Sequence, residues 1–277
     1  MTGDRPDPAY VAARPILLDA LEALETQREA LVLIGAQAVY LHTGDTELAI
    51  APYTTDADFA LDVDRLSDAP LLEASMAAAG FVRRPDGQPG AWERDGIPVD
   101  LMTDATQGEA AGRRGARIPP HAQYAARKVR GLEAAILDND VHTVSALDGI
   151  DRRRIEIAVA GPAALIVAKS IKIQERRETP HRLSGKDAWD VFLLLRACEA
   201  GDLRRRFGLL LGSSHAGRIT RQGLDHLAEL FARPASIGCT LLAQFVEGLE
   251  DPAEIVNSAV ILVRELTESV RTRGSRS

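Results

Sequence analysis

The stretch TTDADFALDVD, residues 54–64, decides the fold of the first half of the chain. All four of its aspartates fall on even positions, whereas Phe59, Leu61 and Val63 fall on odd ones. Side chains of a β-strand alternate between its two faces. The pattern therefore predicts a strand whose odd face packs into a core and whose even face carries carboxylates.

The first two aspartates, Asp56 and Asp58, are expected on the same face, two residues apart. Two ionised carboxylates on one face repel each other, and a divalent cation removes that conflict. Mg²⁺ prefers oxygen ligands and is usually held by one or two carboxylates together with substrate phosphates. We therefore predict that this pair binds Mg²⁺ and nucleotide phosphates, although such pairs also occur as solvated strand edges or helix caps. Asp62 and Asp64 are interpreted as surface residues or as the cap of the next helix.

A third carboxylate, Asp100, lies in the stretch IPVDLM between Val99 and Leu101. An ionised aspartate inside a buried strand is costly unless it has a partner or a metal. If this strand lies beside the strand of Asp56 and Asp58, the three carboxylates form a cluster. Such a cluster fits two-metal phosphoryl transfer, so Asp100 is the predicted third metal ligand.

The chain changes character along its length. Up to about residue 105 the patterns alternate between helix and strand, and beyond about residue 160 they are mainly helical. We predict an α+β fold: a small mixed β-sheet with flanking helices in a domain at 1–160, followed by a helical domain at 161–277. The individual predictions are helix 15–30 starting at Pro15, strand 31–35, helix 36–44, helix 64–80 ending at Gly80, strands 81–84, 91–96 and 97–103, strands near 142–149 and 154–162, helices 161–178 and 184–202, and two or three later helices.

Composition narrows the class of protein. The 277 residues carry 33 basic and 40 acidic side chains, a net charge of −7, which argues against a protein that coats nucleic acid non-specifically. No run of about 18 apolar residues predicts a membrane span, and the N-terminus lacks the apolar core of a signal peptide. We therefore predict a cytoplasmic protein.

Three motifs in order, LIGAQAVYLHTG, TTDADFALD and PVDLM, resemble the nucleotidyltransferase superfamily. Its signature is a strand, a Gly-Ser or Gly-Gly turn that opens a helix, a DxD or DxE strand and a later carboxylate. Gly35 fits the turn, where close backbone approach and a helix N-terminus bind phosphate. Ala36 stands where the family has serine, so phosphate binding at Gly35 and Ala36 is expected from backbone N–H groups alone.

The second half resembles one branch of that superfamily. AALIVAKSIKIQERRE followed by SGKDAWDVFLLL is similar to the C-terminal motifs of AbiEii-like nucleotidyltransferases, the toxins of type IV-like toxin–antitoxin systems that include the MenT type. Lys169 matches the lysine of the first motif. Lys186, Asp187 and Asp190 match the second. The resemblance covers roughly residues 30–195.

Family resemblance implies a role for each of these residues. Asp56 and Asp58 would hold Mg²⁺ and the triphosphate of a nucleoside triphosphate, and the helical domain would complete the active site. Lys169 would neutralise triphosphate charge, a point-charge role that suits lysine. Asp187 or Asp190 would orient that lysine or act as base near the acceptor hydroxyl. Lys186 joins the nucleotide-binding set, together with Gly35, Ala36 and Lys169.

Without the resemblance, the same residues have plainer interpretations. Lys169 is then a solvated lysine whose stem covers the core. Asp187 and Asp190 are then acidic residues of a helix first turn, where they favour the helix dipole.

The resemblance also implies an acceptor and a partner. MenT-type relatives modify the 3′ end of tRNA, so tRNA is the predicted acceptor and a cognate antitoxin is a predicted partner. Two basic segments, near 113–130 and 176–182, are expected to frame a phosphate groove, whereas other basic runs are interpreted as solvated faces. With 4% aromatic residues, contacts to RNA would be mainly to phosphates. Two alternatives stay open: a small-molecule, antibiotic-type nucleotidyltransferase, and a non-catalytic nucleotide-binding or regulatory module.

Overall fold

The computed structural model describes residues 8–44, 54, 56–106, 109–110 and 115–274. The chain folds into two compact units, which we call the β-unit and the helical unit. The β-unit lies within Met1–Tyr40 and Ala51–Ala160, and the helical unit lies within Leu41–Ile50 and Gly161–Ser277. That the segments 1–160 and 161–277 are separate domains stays a prediction.

A mixed eight-stranded sheet forms the framework of the described part of the β-unit. Its spatial order is β3-β4-β5-β2-β1-β10-β9, and β8 also pairs with β5. The strands are β1 Leu31–Ile34, β2 Ala57–Leu61, β3 Val82–Arg83, β4 Ala91–Arg94, β5 Ile97–Asp104, β8 Arg127–Val129, β9 Asn139–Ser145 and β10 Arg154–Ala160, while β6 Glu109–Ala110 and β7 Ala116–Arg117 form a separate two-stranded ladder. The α+β fold that the sequence predicts is confirmed.

The predicted aspartate-bearing strand is β2, at the middle of the sheet. It runs antiparallel to β1 and parallel to β5. Phe59 and Leu61 are fully buried, as the odd positions predict, but Ala60 on the even side is buried too. The strand ends at Leu61, and Asp62 caps the following 3₁₀ turn by accepting a hydrogen bond from the backbone N–H of Asp64. Asp62 is therefore a cap, as interpreted, but of the 3₁₀ turn Val63–Arg65 and not of the predicted helix 64–80.

Helices flank the sheet, and the predicted starts of two of them are wrong. The helices are α1 Pro8–Ala23, α2 Gly35–Thr43 and α3 Leu72–Ala78. Pro15 lies inside α1 and does not start it, because the buried stripe of the helix extends upstream to Tyr10. The predicted helix 64–80 begins only at Leu72, because Pro70 lacks an N–H and disfavours helical geometry at the preceding residue.

The described part of the helical unit contains six α-helices, α4 Pro162–Glu175, α5 Gly185–Ala197, α6 Ala200–Gly212, α7 Gly217–Leu230, α8 Ile237–Val246 and α9 Pro252–Gly274. Pro162 occupies the first turn of α4, as predicted. Four helices follow α5, where two or three were predicted. Trp189 of α5 packs with its ring centroid 5.5 Å from that of Phe192 and 6.0 Å from that of Phe245. Aromatic packing therefore joins α5 to α8.

Close packing of α4 on α7 leads to a stability prediction. A Cβ at Gly223 would lie 2.9 Å from the Val167 Cγ1 and 3.1 Å from its Cα. We expect Gly223→Ala to lower the free energy of unfolding by about 1–3 kcal/mol, because overpacking forces the helices apart. The measurement is urea denaturation.

The matched control is Gly208→Ala in α6, where a Cβ would meet no described atom within 4 Å. There alanine should raise stability by up to about 1 kcal/mol, through helix propensity alone. Equal shifts for the two variants would contradict the packing argument.

Candidate functional site

The first site feature is the contact between Asp58 and Gly35. Register places Asp58 of β2 opposite Ile34, the last residue of β1. Gly35 follows with φ +74°, and a Cβ on it would overlap the Oδ2 atom of Asp58 and lie 3.1 Å from its Cβ. The carboxylate of Asp58 thus lies against bare backbone at the start of α2, where unsatisfied N–H groups and the helix dipole favour anions.

Asp56 is tied to the same helix through its backbone. The Gln37 side chain donates from Nε2 to the carbonyl oxygen of Asp56 at 3.0 Å, and its Oε1 accepts from Arg14 Nε at 3.0 Å. The Thr54 hydroxyl donates to the Asp56 carboxylate. Gln37 and Arg14 are both buried, so α1 and α2 together set the position of Asp56. Sequence reasoning missed this support, because a single Gln and a single Arg carry no motif.

Asp100 lies where the sequence predicts, beside Asp58 in the parallel register of β5 and β2. Its surroundings are different from the predicted ones. Arg127 donates from Nη2 to Asp100 Oδ2 at 2.7 Å, and Arg84 Nη1 lies 3.8 Å from Asp100 Oδ1. Burial works against the charge of Arg127, yet its hydrogen bond to Asp100 and the charge of Asp100 outweigh that effect and raise the pKa of Arg127. Asp100 therefore has a cationic partner from the protein itself.

These contacts bear on the predicted metal ligands Asp56, Asp58 and Asp100. Within the described ranges, no group of three or more His, Cys, Asp or Glu side chains is arranged to hold a metal ion. Asp56 and Asp58 supply the hard oxygen donors that Mg²⁺ prefers, and both are half-buried on one side of β2. They fit the ion. Asp100 differs from them, because its Oδ2 is bound by Arg127.

The second site feature lies in the helical unit, where Lys169 of α4 is buried between two aspartates of α5. Lys169 Nζ donates to Asp187 Oδ1 at 3.0 Å and to Asp190 Oδ2 at 2.5 Å. Asp187 and Asp190 lie one helical turn apart, so both face the same neighbour. The structure brings together the lysine and both aspartates that the resemblance selected, and it contradicts the interpretation of Lys169 as a solvated surface lysine.

Burial and ion pairing compete within this cluster. Burial alone would lower the pKa of Lys169, but the charges of Asp190 and Asp187 outweigh it and raise that pKa. Burial alone would raise the pKa of Asp187, but Lys169 and Lys172 hold it well below its usual range. Asp187 is therefore an anion across the physiological pH range and a poor proton acceptor.

Two further cations surround Asp187: Lys172, which sequence reasoning missed, and Arg176, which it assigned only to the basic segment 176–182. Lys172 Nζ donates to Asp187 Oδ1 at 2.8 Å, and Arg176 Nη1 lies 3.5 Å from Asp187 Oδ2. The Lys172 side chain is 41% exposed, whereas that of Lys169 is 9% exposed. Burial lowers the pKa of Lys172, and the positive charge of Lys169 lowers it further. A signal was available, because positions 169, 172 and 176 share one helix face by their spacing of three and four.

The cluster as a whole has an excess of positive charge. Three cations, Lys169, Lys172 and Arg176, face two carboxylates, and the outermost of the cations reach solvent. Lys186 is half-buried in the first turn of α5, next to Asp187 in the chain. Ser184 precedes α5 as predicted, but its side chain makes no capping hydrogen bond. An anion such as a phosphate is the ligand that this charge balance favours.

Several arginines of the predicted basic segments are engaged in ion pairs. Arg177 pairs with Glu229 at 2.6 Å, and Arg127 pairs with Asp100. Arg117, Arg130 and Arg182 are exposed. Arg113 and Arg114 lie outside the described residues.

Comparison with known proteins gives the class. The model of the family described as Nucleotidyltransferase matches residues 16–201, a span that includes the acid pair, Gly35 and the Lys169 cluster. The chain belongs to this nucleotidyltransferase family. It is accordingly a transferase, whose general reaction moves a nucleoside monophosphate from a nucleoside triphosphate. Such enzymes generally use a divalent metal. A comparison with curated proteins gives no match.

No helix in the described part of the chain is long and apolar enough to cross a membrane. The cytoplasmic location stays a prediction.

The Gly35 contact yields a prediction with an internal control. Gly35 and Gly44 flank α2, both with positive φ, but a Cβ at Gly44 meets no described atom within 4 Å. Gly44→Ala should cost about 1–2 kcal/mol of folding free energy through backbone strain alone. Gly35→Ala should cost at least about 1 kcal/mol more, because Asp58 must also move. Chemical denaturation measures both, and equal costs would refute the contact.

The Lys169 cluster yields a prediction about charge and pH. Lys169→Met should cost about 3–5 kcal/mol at neutral pH, because it leaves two carboxylates buried without their partner. The double variant Lys169→Met/Asp190→Asn should recover part of that loss. Arg177→Met, which breaks an exposed pair, should change stability by less than about 1 kcal/mol.

The sign of the pH effect follows from the lowered pKa of Asp187. In the native protein Asp187 stabilises the fold above the ordinary Asp pKa of 3.8, and this contribution is lost as pH falls below that value. In Lys169→Met the buried carboxylates are relieved by protonation. The difference in free energy of unfolding between the native protein and Lys169→Met should therefore become smaller as pH falls towards 4. A difference that widens would contradict the pairing.

Proposed function

We propose that the chain transfers a nucleoside monophosphate from a nucleoside triphosphate to an RNA acceptor, the 3′ end of tRNA, and that it acts as the toxin of a toxin–antitoxin system. The reaction joins an acceptor hydroxyl oxygen to the α-phosphorus, breaks the bond from the α-phosphorus to the bridging oxygen, and releases pyrophosphate, while the hydroxyl proton passes to solvent. Asp56 and Asp58 would hold Mg²⁺, which would supply positive charge to the triphosphate. A cognate antitoxin is the proposed partner.

The observation that carries the proposal is the carboxylate of Asp58 against the backbone of Gly35. A bound cation at Asp56 and Asp58 would stand beside the N-terminus of α2, whose N–H groups suit a phosphate. Ala36 supplies no hydroxyl. Close approach at Gly35 supports phosphate binding by backbone N–H groups, and this is what the proposal requires.

In the helical unit Lys169 and Lys172 have different proposed roles. Asp187 and Asp190 both bind Lys169, and the low pKa of Asp187 makes it a weak base. We therefore assign the two aspartates to orienting the lysines, the first of the two roles that the resemblance offers. Lys169, which is buried, donates a hydrogen bond to Asp187 and so fixes the position of its carboxylate. Lys172, which is more exposed and binds the same Asp187 oxygen, is the better placed of the two lysines for contact with a substrate phosphate.

The RNA and toxin parts of the proposal rest on the resemblance to AbiEii-like proteins. The exposed Arg117, Arg130 and Arg182 in the two predicted basic segments support contacts to a phosphate backbone. A small-molecule acceptor is the alternative outcome of the experiment below.

We expect purified protein with Mg²⁺ to transfer label from one of the four α-³²P nucleoside triphosphates to total RNA. Asp58→Asn should lower the rate at least about 100-fold, as expected for loss of electrostatic stabilisation. Lys172→Ala should mainly raise the KM for the triphosphate, and Lys172→Arg should restore part of the affinity. Arg218→Ala, an exposed position of α7, should change neither parameter.

Failure to label RNA with any of the four triphosphates would refute the RNA acceptor, and labelling of a small hydroxyl compound would replace it. The same variants test the toxin role in cells. Expression of the native chain in a bacterium should arrest growth, whereas the Asp58→Asn variant should not. Equal growth of the two cultures would remove the toxin role and leave the transferase activity intact.

A further inference from the structure

The pairing of Asp100 with Arg127 has a consequence for the number of metal ions. We infer that this chain binds a single divalent cation, at Asp56 and Asp58, and that the guanidinium of Arg127 occupies the place of a second ion. The inference rests on the proposed function, since it concerns the same acid pair. It departs from the sequence prediction, in which Asp100 is a third ligand of a two-metal site.

Sheet topology places Arg127 beside Asp100. The strand β4 pairs with the first half of β5, at Ile97–Asp100, and β8 takes over the same edge of β5 at Met102–Asp104. Arg127 is the first residue of β8 and pairs with Met102. Its side chain therefore has only to reach back by one strand period of two residues to meet Asp100.

Tight backbone packing holds Arg127 in this position. Gly90 has φ +71°, and a Cβ on it would overlap the carbonyl oxygen of Leu101 and lie 2.8 Å from the backbone nitrogen of Arg127. The Gly90 N–H donates to the Tyr124 carbonyl at 2.7 Å, and the Leu101 N–H donates to the Gly90 carbonyl at 2.8 Å. A glycine is required where these three chain segments meet. The backbone position of Arg127 is thus fixed by the sheet.

Charges around Arg127 match one divalent cation. The Arg127 guanidinium binds Asp100 directly and also feels the charges of Asp58 and Asp86. Arg84 binds Asp86 at 2.7 Å and approaches Asp100. With Asp56, this group has four carboxylates and two guanidinium groups, which leaves an excess of two negative charges. One Mg²⁺ balances that excess, whereas a second ion would have to share Asp100 with the guanidinium of Arg127.

An arginine in this place can do part of the work of a metal ion. In two-metal sites the ions stand about 3.5–4 Å apart and stabilise the attacking and leaving oxygens. A guanidinium carries a permanent charge and planar donors that match phosphate oxygens. Arg127 would supply positive charge beside Asp58 without a second ion, and Asp100 would be its positioning residue.

Metal stoichiometry tests the inference directly. We would titrate the protein with Mn²⁺ as the probe, in the presence of the α,β-methylene analogue of the labelling triphosphate, and record electron paramagnetic resonance spectra. The expected result is one Mn²⁺ per protein–nucleotide complex with an uncoupled signal. Two ions per complex, or a spin-coupled dimanganese signal, would overturn the inference and leave the proposed function standing. Absence of any Mn²⁺ bound by the protein would overturn both.

Single variants show which of the carboxylates binds the metal ion. Asp58→Asn should weaken Mn²⁺ binding at least about tenfold, since a metal-bound carboxylate is lost. Asp100→Asn, which can still accept a hydrogen bond from Arg127, should leave the affinity within about twofold. Asp64→Asn, at an exposed position close by in sequence, is the control. Loss of an Mn²⁺ ion in Asp100→Asn would assign Asp100 to the metal and overturn the inference.

The role of Arg127 is tested by measuring Mn²⁺ binding and kcat separately in Arg127 variants. Arg127→Ala should retain the single Mn²⁺ ion and lower kcat by about 10²–10³, the effect of removing one preorganised cation at a transition state. Arg127→Lys should recover part of the rate, because it restores the charge without the planar donors. An unchanged kcat in a folded Arg127→Ala protein, verified by its melting temperature, would reduce the pair to a structural salt bridge.

Discussion

The contact between Asp58 and Gly35 is the constraint on which the site in the β-unit depends. Asp58 lies on a central strand, and its carboxylate lies against the backbone at the start of α2, the end of a helix that favours anions. Gly35 is needed because any side chain there would displace the carboxylate. The strand, the turn and the helix therefore form one arrangement that fixes the position of Asp58.

Each unit compensates buried carboxylates with cations of its own. In the β-unit Arg127 binds Asp100, and in the helical unit Lys169 and Lys172 bind Asp187. Partly exposed ion pairs of this kind contribute little to the free energy of folding. A buried ion pair is weak evidence for stability, and its main effect here is to position the side chains that form it. Asp56 and Asp58 are held differently, by hydrogen bonds from Gln37 and Thr54 and by the backbone at Gly35, and they are the pair proposed to hold the metal. Membership of the nucleotidyltransferase family gives that arrangement its chemical context.

Local sequence patterns predicted many of the helices and strands correctly. Alternation in residues 57–61 identified β2, and Pro162 identified the start of α4, because each signal is confined to one element. Errors arose where two signals conflicted. Pro15 looked like a helix start, but the apolar stripe continued on its N-terminal side. Residues 105–130 showed no clear pattern, because their strands are only two or three residues long.

By itself the sequence determined where most helices and strands lie, because periodicity and spacing act within one strand or one helix. It also predicted which side chains carry the chemistry: spacing singled out Asp56 and Asp58, and the resemblance to nucleotidyltransferases singled out the glycine turn, Lys169, Asp187 and Asp190. Only the tertiary structure decided how the charges are shared. Asp100 meets an arginine 27 positions away because β8 succeeds β4 along β5, and Lys169 is buried because α5 covers it. Pairing between distant segments depends on sheet order and helix packing, which local sequence does not encode.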